Sequence, residues 1–351
     1  MTRLEKLIRI LPETVDALIV TNPKNQRYLT GFDFQDGLVL VTRKTSYLIT
    51  DFRYKEAAAK EVRPEFTVTL FEEDRSRFFM SLLDGRTKIG FEDASITVEE
   101  LNGYRALLPE CSFYGVGRLI ESLRIVKEPC EIDSMIKAQR IAEKAFEHIL
   151  SYITPERTET EIALELEFTM RSLGASATSF DTIAVSGKKS ALPHGVPENK
   201  TLSRGFFTMD FGCIVDGYCS DMTRTVVIGR ADDEMKRVYH TVLAAQEAAL
   251  NAFDFGKTGY EIDKVARDLI YAAGYEGCFG HGLGHGVGMD IHEAPRVRWD
   301  CHTPLATGHV VTCEPGIYIE GKYGVRIEDM VVFREKTVEN ITKCPKCLIE
   351  L

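Results

Sequence analysis

Phe206-Phe207-Thr208-Met209-Asp210-Phe211-Gly212-Cys213-Ile214-Val215-Asp216-Gly217-Tyr218-Cys219-Ser220-Asp221-Met222-Thr223-Arg224-Thr225 reads as two β-rich runs around an Asp-Gly pair. Asp-Gly in that setting is the strongest short hairpin signal, because a two-residue type I′ turn needs positive φ at both central positions. With Asp216-Gly217 as the loop, Val215 faces Tyr218 and the register follows. Gly212 lies opposite Asp221, and Asp210 opposite Thr223. Asp210 and Asp221 become diagonal neighbours on one face, about 7 Å apart at Cβ, with Gly212 leaving space between them. Two carboxylates aimed at one spot repel unless something positive sits between them. A metal pair would supply that charge; two solvated acids on an exposed face would give the same pattern.

Two further stretches carry similar signals. Phe279-Gly280-His281-Gly282-Leu283-Gly284-His285-Gly286-Val287-Gly288-Met289-Asp290-Ile291-His292-Glu293 places three of the chain's eight His among alternating glycines. Glycine lets backbone approach a ligand closely, and neutral imidazole is the common metal ligand. The spacing does not fit a dinucleotide fingerprint. Thr312-Cys313-Glu314-Pro315-Gly316-Ile317-Tyr318 and Val325-Arg326-Ile327-Glu328-Asp329-Met330 set acids in apolar, strand-like surroundings. A turn at Gly321 to Gly324 would bring Glu314 across from Glu328. Buried Glu is costly unless paired or metal-bound; a surface pair of Glu328 with Arg326 is the plainer alternative. His194, in Ala191-Leu192-Pro193-His194-Gly195, reads alone as a loop histidine. Four carboxylates and one His form an oxygen-rich set suited to Mn²⁺, Co²⁺, Fe²⁺ or Zn²⁺, and four acids are more than one ion needs.

Around these stretches the chain reads as two domains, the prior for 351 residues. Residues 1–123 alternate strands (Ala17 to Thr21, Gly37 to Val41, Ser46 to Thr50, Lys88 to Gly90) with helices (Arg53 to Glu61, Val98 to Leu107), an α/β pattern. Residues 124–130 read as a linker, with Pro129 suited to open a helix. Within 131–351, helices at Glu131 to Tyr152 and Glu159 to Leu173 precede strand-rich sequence, Asp181 to Ile228. Helices at Asp232 to Phe253 and Tyr260 to Ala273 precede another, Val310 to Phe333. That order suggests a duplicated α+β unit. A net charge of -10 argues against a nucleic-acid or anionic-membrane surface. No apolar run long enough for a signal peptide or span follows the charged N-terminus, so a cytoplasmic protein is expected, its nine Cys mostly free thiols. Cys344-Pro345-Lys346-Cys347 lacks the second pair of a zinc site.

Met209-Asp210-Phe211-Gly212, Ser220-Asp221-Met222-Thr223-Arg224-Thr225, His281-Gly282-Leu283-Gly284-His285-Gly286, Glu314-Pro315-Gly316 and Arg326-Ile327-Glu328-Asp329 together resemble the motifs of the pita-bread metallopeptidases, in family order and spacing. Within them the chain resembles the proline-directed branch, Xaa-Pro aminopeptidase (aminopeptidase P) and prolidase. The resemblance implies an α+β fold: a creatinase/aminopeptidase-like pita-bread catalytic domain with a smaller N-terminal α/β domain. It implies two divalent metal ions, manganese first, on Asp210, Asp221, His285, Glu314 and Glu328, with Asp221 and Glu328 bridging. It gives His194, His281 and His292 substrate-side roles and Arg326 a supporting one. Glu314 would pass a proton from the attacking water to the leaving nitrogen. The implied activity is release of the residue before proline from Xaa-Pro peptides, as an aminopeptidase, with prolidase action on Xaa-Pro dipeptides as the alternative and a non-catalytic peptide-binding module a remoter one. Arg296 is a candidate to hold a substrate carboxylate. A proline-containing peptide is the implied partner, with neither nucleic acid nor membrane, and a homodimer is the implied assembly. Cys213, Cys219 and Cys313, adjacent to ligands, are flagged for metal choice or oxidation.

Overall fold

The computed structural model describes residues 1–351, in two compact units, Met1–Arg124 and Ile125–Leu351. Residues 124–130 do not all form a linker. Arg124 ends the Leu119–Arg124 helix, and Pro129 opens the Pro129–Tyr152 helix. The reciprocal cap between Glu128 and Glu131 starts that helix early.

In the first unit Ala17–Val20 pairs antiparallel with Gly37–Thr42 and parallel with Lys88–Phe91. Ser46–Thr50 and Thr67–Leu70 extend one side of this six-stranded sheet, and Ser112–Gly115 the other. The two edge strands are four residues each and largely solvent-accessible, so they carry little apolar pattern to read. Helices Arg3–Ile10, Pro23–Thr30 and Arg75–Leu83 add to the two expected in this unit. They start at side-chain caps from Thr2, Asn22 and Asp74. The helix expected from Arg53 begins at Lys55, because the Asp51 carboxylate holds the Arg53 amide in a turn (2.8 Å).

The second unit is built twice. Helices Pro129–Tyr152 and Glu159–Ser172 form one pair, Asp233–Ala252 and Gly259–Ala272 the other. Thr158 with Glu161 and Thr258 with Glu261 make matching capping boxes. Gly174 and Gly274, both at positive φ, follow the second helix of each pair. One apolar core joins the first helix pair to Ala184, Phe207, Met209 and Val226, and another joins the second pair to Val311, Ile317, Val331 and Phe333. Each helix pair thus covers its own sheet: Ile183–Ser186, Gly205–Phe211 and Met222–Ile228 in one half, and a five-stranded sheet from Glu293–Val297 to Val338–Asn340 in the other. No helix is long and apolar enough to cross a membrane.

Candidate metal centre

Asp216 and Gly217 both adopt positive φ (52° and 88°), as a type I′ turn requires. Val215 pairs with Tyr218 and Thr223 with Asp210, so the register is the one derived from the turn. Gly212 serves a different purpose from the one expected. A Cβ there would lie 1.9 Å from the Ser220 carbonyl oxygen, so the glycine admits backbone rather than opening room between carboxylates.

In the other half, Gly316 pairs with Arg326 and Cys313 with Asp329, a single register that sets Glu314 opposite Glu328. Neither Arg326 nor Glu328 is on the surface; they are 4% and 1% exposed. His285 lies on Gly284–Gly286, where glycines are forced by the approach of the Thr312 and Ala294 carbonyls. Its Nδ1 is 3.1 Å from the Gly286 carbonyl oxygen, which can only accept. The proton therefore sits on Nδ1, and the Nε2 lone pair faces Asp221 Oδ2 at 3.6 Å and Glu314 Oε1 at 3.3 Å.

All five residues carried over as ligands converge on one cavity of about 500 Å³. Asp221, His285 and Glu328 each offer a ligand atom within 4.8 Å of the others. Burial, and then repulsion from neighbouring acids, pushes the Asp221 and Glu328 carboxyls well above the usual carboxylate range. Burial raises Asp210 as well, against the pull of Arg326. Burial would raise Glu314 too, but His285 when protonated, and the Arg326 guanidinium, draw it below the usual carboxylate range. Asp210 Oδ1 is buried without a hydrogen-bond partner. Four acids, an oriented imidazole nitrogen and an orphaned oxygen around one space fit divalent cations.

A polar relay supports the group. Arg326 donates to Asp210 Oδ2 (2.7 Å), to the Tyr318 hydroxyl (2.8 Å) and to Thr223 Oγ1 (3.0 Å), and Thr223 donates to Glu328 (2.7 Å). Tyr318 OH lies 2.9 Å from His281 Nε2. His281 Nδ1 faces the Gly282 carbonyl and so carries the proton, which makes Nε2 the acceptor from Tyr318. Burial depresses the pKa of His281. His292 packs edge-on to His285, ring centroids 4.3 Å apart, and burial takes its pKa down to about 4. His194 and Arg296 line the same cavity from exposed positions.

Tyr318, Thr223 and Arg298, which also lines the cavity, were not singled out from sequence. Strand alternation was the available signal for Tyr318. It shares a face with Glu314, and Gly316 and Gly324 leave room for its ring. The thiols of Cys213, Cys219 and Cys313 donate to the carbonyls of Ala138, Met289 and Gln246. Alternation turns Cys213 and Cys313 from the face of the acids, while Cys219 shares the parity of Asp221 and acts on its carboxyl. Burial raises the Cys213 thiol to about 12.

Comparison with known proteins shows the family of the chain. The model of metallopeptidase family M24 matches residues 133–335, and that of the creatinase/prolidase N-terminal domain matches residues 3–126. The fold is similar to an Xaa-Pro dipeptidase from Bacillus anthracis (TM-score 0.95, 41% identity, 99% of each chain). It is also similar to an X-Pro aminopeptidase from Thermotoga maritima (TM-score 0.91, 37% identity, 99% of this chain and 100% of that one). The sequence is 35% identical to an Xaa-Pro dipeptidase from Pyrococcus furiosus over 99% of both chains. The chain belongs to metallopeptidase family M24.

Proposed function

We propose that this metallopeptidase is an Xaa-Pro dipeptidase, with Asp210, Asp221, His285, Glu314 and Glu328 holding two divalent ions, manganese first. Convergence of the five side chains on one cavity carries the reading. Of the two activities expected from sequence, the dipeptidase now stands first, because it is the activity named for similar proteins from Bacillus anthracis and Pyrococcus species. An aminopeptidase is also named among them, from Thermotoga maritima.

Bound there, the ions would polarise the scissile carbonyl and ease deprotonation of the attacking water. Glu314, whose carboxyl is held low, is ionised at neutral pH and can accept that proton and return it to the leaving nitrogen. A proline nitrogen has no N–H to grip, so orientation falls to the cavity wall. His281 stays neutral and is held by Tyr318. Arg296 offers a cation to the free carboxylate of a dipeptide. A homodimer and a cytoplasmic, reducing location suited to nine free cysteines complete the reading; light scattering tests the first.

The deciding experiment compares Leu-Pro with Leu-Pro-Gly as substrates for the Mn²⁺-loaded protein. Faster cleavage of the dipeptide is expected. Preference for the tripeptide would restore the aminopeptidase reading, and no cleavage of either with any of Mn²⁺, Co²⁺, Zn²⁺ or Fe²⁺ would defeat both.

A further inference from the structure

Glu159, the first residue of the Glu159–Ser172 helix, is 3% exposed and far in sequence from every proposed ligand. Its carboxylate takes four donors. Oε1 accepts from the amide (2.7 Å) and hydroxyl (3.0 Å) of Ser186, and Oε2 from Lys189 Nζ (3.1 Å) and the amide of Glu198 (3.1 Å). Ser186 and Glu198 are the two ends of a loop. Between them run a short 3-10 turn, Gly187–Ala191, and the segment that puts Pro193, His194 and Val196 on the cavity wall. This side chain joins the two ends, or neck, of the loop that presents His194, beside the backbone bond from the Thr160 amide to the Glu198 carbonyl (3.2 Å) and the Lys189–Glu198 ion pair (3.1 Å).

Beyond the neck, side-chain hydrogen bonds hold the loop to the rest of the unit at two points. Arg326 donates to the Pro193 carbonyl (3.2 Å), and Ser190 Oγ accepts from the Gly324 amide (2.9 Å). The His194 side chain is exposed, so its place is set by the backbone that carries it. The second half of the duplication closes the matching gap without a carboxylate. There Gly259 holds the position that Glu159 holds in the first half, and a Cβ on it would lie 2.4 Å from the Arg296 carbonyl oxygen. Backbone bonds join the start of the second helix to the downstream segment in both halves, Glu159 to Lys200 (3.1 Å) and Tyr260 to Cys301 (2.7 Å); the first half adds a buried acid.

We propose that Glu159 is a positioning residue for catalysis, fixing His194 against the substrate by closing the Ser186–Glu198 neck; the inference rests on the peptidase reading above. Charge-assisted bonds to a buried carboxylate are among the stronger ones in a fold. Glu159→Gln keeps the shape, but its amide nitrogen meets the Glu198 N–H and the Lys189 ammonium, donor against donor.

The experiment is a double-mutant cycle on the Mn²⁺-loaded protein with Leu-Pro, run beside amide hydrogen exchange of residues 187–198. Glu159→Gln should lower kcat/KM by about tenfold to a hundredfold, the range for a small misplacement of a working group. In a His194→Ala background the same change should cost less than about twofold, since residues that act through one another are not additive. Exchange over 187–198 should speed up, and the calorimetric Kd for Mn²⁺ should stay unchanged. Equal losses in both backgrounds, a weakened Mn²⁺ Kd, or unchanged exchange would each overturn the proposal. Should Glu159→Gln fail to fold, Lys189→Met removes one donor and must give a smaller loss that also vanishes with His194→Ala. A wild-type protein that leaves Leu-Pro intact would defeat the peptidase reading instead, while the exchange data still report on the neck.

Discussion

Replacing Arg224 with Met should destabilise the second unit by about 4 kcal/mol. All five guanidinium donors are in use. They reach the carbonyls of Thr223 (2.9 Å), Glu328 (2.6 Å), Cys344 (2.8 Å) and Pro345 (2.9 Å), and the carboxylate of Asp329 (2.8 Å). The Arg224 and Asp329 side chains are 2% and 0% exposed. Breaking such a buried pair costs roughly 3–5 kcal/mol, because the surviving charge has no water to turn to. Asp329 keeps Lys346 (3.0 Å), Gln246 (2.9 Å) and Asn340 (2.7 Å), which pulls the figure down. Four carbonyls left without this donor pull it up. The sole tryptophan, Trp299, lies in this unit, so its fluorescence in urea reads the transition without interference from the first. The midpoint should fall with the slope unchanged. Adding Asp329→Leu should return more than half of the loss, because no buried acid is then left behind. A loss below about 1 kcal/mol for Arg224→Met, or no recovery in the double variant, would refute the view that a buried ion pair holds the segment that carries Glu328.

Asp221→Ala should abolish turnover and calorimetric Mn²⁺ binding while leaving the metal-free protein as stable as before, since a buried, mutually repelled acid is removed; residual turnover would show that Asp221 is not a shared ligand. Gly212→Ala forces the Ser220 carbonyl to retreat by roughly an ångström, a displacement at which catalysis falls about a hundredfold, so kcat/KM should drop far more than thermal stability. His309 is buried and neutral, its Nδ1 accepting from the Ala306 amide, and burial lowers its pKa from 6.5 to about 4. A depressed histidine contributes stability above its unfolded pKa that is lost as pH falls toward the folded value. Trp299-monitored stability should therefore decline from pH 6.5 toward 4, and His309→Asn should flatten that decline; an unchanged slope would show that other groups cause it.

The site was legible where short-range rules fix geometry. Asp216-Gly217 dictated a turn, the turn dictated a register, and the register put Asp210 and Asp221 on one face. Glu314 does face Glu328, but the turn expected at Gly321 to Gly324 lies at 320–322, with Gly324 already in the strand and paired with Tyr318. Thr158 and Glu161 announced a helix start that the structure shows as a capping box. Illegible were groups whose role arises only when distant segments meet. The spacing from Thr158 marks Glu161 as a cap, but nothing local marks Glu159, two residues earlier, as a buried hub. Arg224 likewise reads as a strand residue, because its partners lie more than a hundred positions away. The edge strands of the first unit escaped for another reason: half-exposed and four residues long, they have too few buried positions to show a period. The direction of two cysteines was legible, since period-two alternation turns Cys213 and Cys313 from the acid face.

The duplicated architecture has a consequence for the order in which the enzyme becomes active. Asp210 and Asp221 belong to the first half, and His285, Glu314 and Glu328 to the second. A ribosome has therefore delivered a hairpin with two acids long before the remaining proposed ligands exist. Two aspartates alone are a poor trap for a transition metal. Proteolytic competence is thus the last property the nascent chain acquires, and a product truncated between the halves folds, at most, into an inert fragment.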